Sequence, residues 1–290
     1  MSQVRKQQYG SRPRRAAATV TFHVVSSIIA IAFVFPIVWA IINSIKPPAE
    51  ANQAPPSFLP SALSLENFTN LLTYGEGLLT YTANSFAVSA MTVFGTLLVC
   101  ALGGYGFARF NFPGKRILFI LVLTILMVPH VTLLLPLYVW LNKLALLDSL
   151  FGLSFALILL QLPFGLLMMR ISFESVPREL EEAALVDGCS NLGALLRISL
   201  RLVAPALVTV GLIAFLASWN EFIAPLIFIA DGSKFTLPVM LVNVRSGAYG
   251  AVDYGALQAG VVVTMIPCLL LYLFLQRFYE RGLTSGALRG

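Results

Sequence analysis

Within the membrane-length apolar runs, one residue carries a formal negative charge deep inside a span. Glu221 lies in Ser218-Trp219-Asn220-Glu221, sixteen residues past Pro205. On a helix rising 1.5 Å per residue that is about 24 Å along the axis, in the outer part of a bilayer. A carboxylate there is costly unless it faces a watery cavity or a partner group. Trp219, Asn220 and Glu221 offer an aromatic face and hydrogen bonds that suit a polar, hydroxylated solute. The alternative is a carboxylate satisfied by a neighbouring helix or a paired subunit. A lone carboxylate is not the chain of acid and base groups expected of a proton relay. No covalent engine accompanies it. The nearest Gly-Lys, Gly114-Lys115, is followed by Arg116, so GxxxxGK[ST] is missing and nucleotide hydrolysis in this chain is not expected. Cys100, Cys189 and Cys268 are odd in number and lack ligand spacing, which implies neither a zinc site nor a disulfide framework. His23 and His130 read as satisfied, buried histidines. Gly103, Gly104 and Gly106 read as close helix packing, because a dinucleotide fingerprint needs a preceding strand that is missing.

The second chemical feature is a polar interruption at 177–205, PRELEEAALVDGCSNLGALLRISLRLVAP. Pro177 suits a first helical turn, and Glu179, Glu181 and Glu182 favour a helix N-terminus. Ala183, Ala184 and Leu185 are strong helix formers. Asp187-Gly188 reads as a stop with a left-handed glycine, and Ser190 as the N-cap of a second helix through Leu195, Leu196 and Ile198. Ala184 and Gly188, four residues apart, are expected to share a bare face suited to being gripped.

The elements that must position these groups follow from composition. The chain has 290 residues, 58% hydrophobic and 11% charged, with mean hydropathy +0.85, where a soluble domain is about 25% charged. That points to an all-α, multi-pass membrane protein. Six runs are long enough to span, at 18–42, 81–108, 117–141, 151–171, 205–230 and 257–277, since about 20 apolar residues cross a bilayer. The first follows Arg5, Lys6, Arg12, Arg14 and Arg15 and is too long for a signal peptide, so a retained helix is expected. Residues 1–17 and 278–290 are tails, and 172–204 is the loop before the fifth span. Residues 43–80 carry a short helix from Leu65 through Phe68, Leu71 and Leu72, capped by Ser64 and expected on the outer membrane surface. Lys143 and Asp148 support a turn at 142–150, and 231–255 is expected to be irregular. Pro36, Pro129, Pro136, Pro163, Pro225 and Pro267 lie inside spans, where each removes a backbone hydrogen bond.

With both termini inside, fifteen of the 19 Lys and Arg face the cytoplasm and four, Lys46, Lys143, Lys234 and Arg245, face out. That bias sets the orientation and accounts for the net charge of +6 without a nucleic-acid partner. The 177–205 stretch is thereby assigned to the cytoplasm.

Glu182-Ala183-Ala184, then three residues, Gly188, nine residues, and Ile198 with Leu200 resemble the EAA loop of permease subunits of binding-protein-dependent ATP-driven importers. Asp187 before Gly188 is similar to the carbohydrate-uptake branch. Other matching pieces are Phe35-Pro36, Asn43-Ser44-Ile45-Lys46, Leu65-Glu66-Asn67-Phe68, Gly104-Tyr105, Ala108-Arg109, Phe112-Pro113-Gly114-Lys115-Arg116, Trp219-Asn220-Glu221-Phe222, and the tail from Gly282 to Gly290. From about residue 18 onward the chain resembles the shorter permease subunit of maltose-type importers. The resemblance implies the type I importer permease fold, in a bacterial or archaeal plasma membrane. It implies coupling through Glu182, Ala183, Ala184, Asp187, Gly188 and Ile198, further ATPase contact at Gly286, Ala287 and Gly290, and a substrate pathway that includes Trp219, Asn220 and Glu221. The implied partners are a second homologous permease, two ATPase subunits that bind the ATP and Mg, and an extracytoplasmic sugar-binding protein. Arg201 stands where the family often has proline, so the second helix is expected to run on toward Pro205. A stand-alone secondary transporter or channel for polar solutes is the competing class. It would need the ion relay that is missing, and a membrane enzyme would need a catalytic cluster.

Overall fold

The computed structural model describes residues 12–246 and 252–287. Fourteen α-helices follow in order: α1 Arg12–Ser44, α2 Pro48–Ala51, α3 Glu66–Leu72, α4 Leu78–Arg109, α5 Lys115–Thr124, α6 His130–Lys143, α7 Leu150–Glu174, α8 Arg178–Val186, α9 Asn191–Ala194, α10 Leu200–Leu202, α11 Ala204–Trp219, α12 Ile223–Phe228, α13 Leu237–Ser246 and α14 Tyr254–Ala287. Among the described residues, four helices are long and apolar enough to cross a membrane: the Thr19–Ser44 part of α1, α4, α7, and Tyr254–Leu275 of α14. Two further pairs are bent, Lys115–Met127 with His130–Lys143 by 112° and Asn191–Leu202 with Ala204–Trp219 by 79°; counted as one span each, they bring the total to six.

The bends are where the continuous runs read from hydropathy differ from the molecule. The expected 117–141 span turns by 112°. Val128 is extended at φ −89°, ψ 129°, the conformation a following proline imposes, and Pro129 has no N–H to continue the ladder. The expected 205–230 span stops at Trp219 and resumes as α12. Pro36, Pro136, Pro163 and Pro267 lie within unbroken helices.

The centre of the bundle is α4, packed along α7 and then α11. Its glycines divide by role. A Cβ on Gly104 would sit 2.6 Å from Met169 Cβ and 3.0 Å from the Arg170 amide nitrogen, whereas one on Gly106 meets nothing within 4 Å. Gly104 alone of the three admits the α7 backbone. By contrast, α1 packs along α14 and leaves Phe22, Ile28, Ile31 and Phe33 exposed, as an all-round apolar helix in lipid does.

At the end of the bundle away from α8, polar side chains tie the loops. Lys46 is fully buried; its Nζ donates to Asn43 Oδ1 at 2.9 Å and to the Ser57 carbonyl at 2.5 Å. The buried Asn67 donates to the carbonyls of Ser44 (3.1 Å) and Lys46 (2.7 Å). So α3, expected as a surface helix, is tied into the bundle. It buries Asn67 and Leu71 against α14 and the end of α1, and leaves Leu65 and Leu72 exposed. Its N-cap is Leu65, with the Ser64 hydroxyl accepting only the Glu66 N–H. Glu50 accepts from Ser57 Oγ at 2.6 Å and from the Ser61 N–H and hydroxyl, bonds that lower its pKa to about 2.

The 142–150 connection is a turn, with Asp148 at φ +52°. Its carboxylate accepts from the N–H groups of Ala230 (3.0 Å) and Asp231 (2.9 Å) and pairs with Lys234 at 3.0 Å. The expected irregular stretch after Asp231 instead folds into α13, because Leu237, Val239, Met240 and Val244 supply an apolar face that becomes buried.

Candidate functional site: the α8–α10 loop and the broken spans

The polar stretch forms a helix, a turn and a second helical segment. Pro177 takes the N-cap position, one residue earlier than a first-turn proline, and Glu179 and Glu181 fill the first turn. The stop is a Schellman motif. Gly188 has φ +86°, its N–H donates to the Leu185 carbonyl at 3.0 Å, and the Cys189 N–H reaches the Ala184 carbonyl at 2.9 Å. Ser190 caps the second segment, accepting the Gly193 N–H at 3.1 Å. That segment continues through a π turn, Leu195–Ser199, into α10, and then bends by 79° at Val203 into α11. With Arg201 rather than proline, the helix runs on to Leu202 and the exit comes one residue later.

The exposed face differs from the bare Ala184–Gly188 stripe expected from spacing. Ala184 is buried against the second segment. Gly188 lies beyond the helix in the left-handed region, so the i, i+4 relation fails, and a Cβ there would project into open space. Glu182, Ala183, Asp187 and Gly188 are all exposed. Beside them stand Leu185, Val186 (88% exposed), Leu192 and Leu196. Ile198 is half-buried. The loop thus presents an apolar patch beside two carboxylates.

Sequence reasoning missed the group behind that face. Glu181 is buried, and its Oε1 accepts from Arg109 Nε (2.9 Å) and Ser199 Oγ (2.6 Å). Its Oε2 accepts from the Tyr105 hydroxyl at 3.2 Å. Arg109 Nη2 lies 2.9 Å from the same carboxylate and also donates to the Val176 carbonyl at 2.9 Å. Helical spacing held the clue, since Glu181 and Ala184 are three residues apart on one face while Glu182 points away.

Near the other end, the two broken spans meet. His130, first residue of α6, has Nε2 3.7 Å from Glu221 Oε2. Glu221 Oε1 accepts the N–H groups of Ile223 (3.0 Å) and Ala224 (2.9 Å), so the break in the fifth span supplies donors that offset burial of the carboxylate. The side chain of His130 is 43% exposed, and His23 is exposed as well; neither is the buried histidine expected. Asn220 is exposed and donates to the Leu216 carbonyl at 2.8 Å. Trp219 does not offer a free aromatic face. It is 1% exposed, stacks on Phe215, meets Phe86 in a tilted contact, and donates to the Thr264 carbonyl at 3.1 Å. The polar groups brought together here are therefore His130, Asn220 and Glu221. Gly286 and Ala287 form the end of α14, and Gly290 lies outside the described residues.

Residues 100–285 match the family described as "Binding-protein-dependent transport system inner membrane component". The chain is 34% identical over 260 residues to a probable ABC transporter permease, YurM, of Bacillus subtilis, covering 90% of this chain and 85% of the relative. It is 33% identical to the sulfoquinovosyl glycerol transport system permease SmoH of Agrobacterium fabrum, covering 92% and 93%. It is 31% identical to the trehalose/maltose transport system permease MalG of Thermococcus litoralis, covering 91% and 94%. The fold is shared with a crystal structure of a bacterial ABC transporter involved in import of the acidic polysaccharide alginate, at TM-score 0.82 and 23% identity over 93% of this chain and 99% of that one. On a match over most of its length, the chain belongs to the inner-membrane components of binding-protein-dependent transport systems.

Proposed function

We propose that this chain is the permease subunit of an ATP-driven sugar importer, contributing half of the translocation pathway. The observation that carries the reading is the α8–α10 loop, which is locked internally by Glu181 yet presents Glu182, Asp187 and a leucine–valine patch outward. An apolar patch rimmed by charge on a membrane protein's polar loop is suited to a protein partner. Here that partner is an ATPase bearing a basic group for Glu182. The charge bias supports a cytoplasmic loop and cytoplasmic termini. The full assembly comprises this chain, a homologous but different permease, two ATPase subunits that hold ATP and Mg, and an extracytoplasmic sugar-binding protein. Gly286, Ala287 and Gly290 add contacts to the ATPases.

Closure of the ATPase pair draws the loops together, and the bundle moves from inward-open to outward-open by rigid-body rocking. The bend at Pro129 and the helix break after Trp219 leave polar groups where the spans are already interrupted, and His130, Asn220 and Glu221 suit the hydroxyl groups of a carbohydrate in transit. The relatives' named substrates, which are glycosides and oligosaccharides, favour the sugar class.

Glu182→Lys and Gly188→Trp test the reading. Both are expected to abolish uptake in cells while the chain still inserts and assembles: Glu182→Lys reverses a charge on the exposed face, and Gly188→Trp both fills that face and strains the left-handed cap that ends α8. Normal uptake by both variants refutes it.

A further inference from the structure

The Arg109–Glu181 network exceeds what presenting a docking face requires. Leucines on the inner face of α8 would hold the loop equally well. Instead, two full charges are buried at 8% and 9% side-chain exposure, which costs several kcal/mol per ion before the pair forms.

The bonds have a direction. Tyr105 and Arg109 belong to the last turns of α4, and Val176 to the segment between α7 and α8. Ser199 belongs to the π turn, a widened turn of the kind that recurs at functional sites. One carboxylate and one guanidinium therefore join the end of α4, the exit of α7 and both halves of the loop. Among the described residues, no side-chain hydrogen bond joins the loop to α11, where the chain turns through 79°. The polar fastening of the loop runs to α4 and its packing partner α7; toward α11 there is a bend and the apolar packing of Leu195 and Val203 in one cluster with Val210. Gly104, five residues before Arg109 on α4, brings the α4 and α7 backbones into contact just behind the network.

We propose that the Arg109–Glu181 pair is a strut that carries displacement of α8 into the α4–α7 pair, and that Arg109 is a positioning residue for coupling. The proposal rests on the reading of the α8–α10 loop as the ATPase contact. In it, α4, α7 and the loop, with α11 packed along α4, move as one body. A two-state element biased from the ATPase side is what a coupling claim requires, beyond mere proximity.

The test measures ATP hydrolysis and sugar uptake together in the complete complex, reconstituted in proteoliposomes with its binding protein. The double variant Arg109→Met/Glu181→Leu removes both charges and so leaves no unpaired ion. It is expected to assemble and to hydrolyse ATP within about twofold of wild type, while sugar moved per ATP falls by about tenfold, as in coupling free energies elsewhere. An unchanged ratio, or hydrolysis and uptake falling in proportion, overturns the strut and leaves a structural brace. If the double variant does not assemble, Tyr105→Phe and Ser199→Ala decide, because each keeps the ion pair and removes one bond. A smaller fall in the same ratio supports the strut, and an unchanged ratio in both overturns it. Glu182→Lys is run alongside. If it transports normally, the ATPase-contact reading fails and the strut with it. If it is inactive while the network variants keep the wild-type ratio, only the strut fails.

Discussion

Adding one methyl group at Gly104 should injure this protein, whereas the same change two residues away should not. In Gly104→Ala the new Cβ would lie 2.6 Å from Met169 Cβ, 3.0 Å from the Arg170 nitrogen and 3.1 Å from the Met169 carbonyl carbon. Ordinary contacts begin at 3.4 Å, so the helices must separate by most of an ångström at their tightest point. None of the three obstructing atoms can rotate aside. A gap of that size forfeits a quarter to a half of each dispersion contact along the seam, and overpacking of a rigid site costs about 1–3 kcal/mol. With backbone as the obstacle we expect about 2 kcal/mol, or about thirtyfold in the folded-to-unfolded ratio. Gly103→Ala meets only Leu166 Cδ2, the far end of a flexible side chain, and Gly106→Ala meets nothing. The assay is the apparent unfolding midpoint of the three alanine variants in nanodiscs. Gly104→Ala should fall by about 4–8 °C, Gly103→Ala by less, and Gly106→Ala should match or exceed wild type, since alanine favours helix. If Gly104→Ala is as stable as Gly106→Ala, the account of the α4–α7 seam is wrong.

Glu221→Ala should leave the Ile223 and Ala224 N–H groups without their acceptor and destabilise by about 1 kcal/mol, as lost caps do. Glu221→Gln retains an acceptor oxygen, so it should keep that stability and change only the kinetics of sugar uptake. Equal midpoints for the alanine and glutamine variants would rule out the capping role. Glu50 has its pKa lowered from 4.5 to about 2 by Ser57 and Ser61. The stability it adds is fully present above 4.5 and fades as pH falls through about 2. Acid titration of wild type against Glu50→Gln should show the two converging over that window, and a constant difference would count against it. The Asp148–Lys234 pair should be lost at both extremes, since Asp148 titrates below the usual carboxylate range and Lys234 above the usual amine range. Lys234→Met should therefore destabilise the turn near neutral pH, read as faster amide exchange at Ala230 and Asp231.

Much of this molecule is written in signals that act locally or by sign. The length and apolarity of the spans specify helices in a membrane, because the bilayer core has no water for backbone N–H and C=O groups, which must then bond within their own helix. The loop's start, stop and restart follow from Pro177, Gly188 and Ser190, whose preferred backbone angles and capping oxygens need no distant partner. The lysine and arginine bias needs only counting. What the sequence by itself left open is which way a side chain faces once three helices close around it. Glu181 and Glu182 are adjacent and identical in type, yet one is buried in an ion pair and the other is exposed. Only the position of Arg109 on a helix seventy-odd residues earlier decides between them. Trp219 and Glu221 read as one motif, but the first fills the core and the second caps a helix. Pro129 and Pro136 are equal by composition, and only the former breaks its span. His130 meets Glu221 because the helix breaks after Met127 and after Trp219 come together in space. Such a contact depends on where chains cross in space, and spacing along one of them does not encode it.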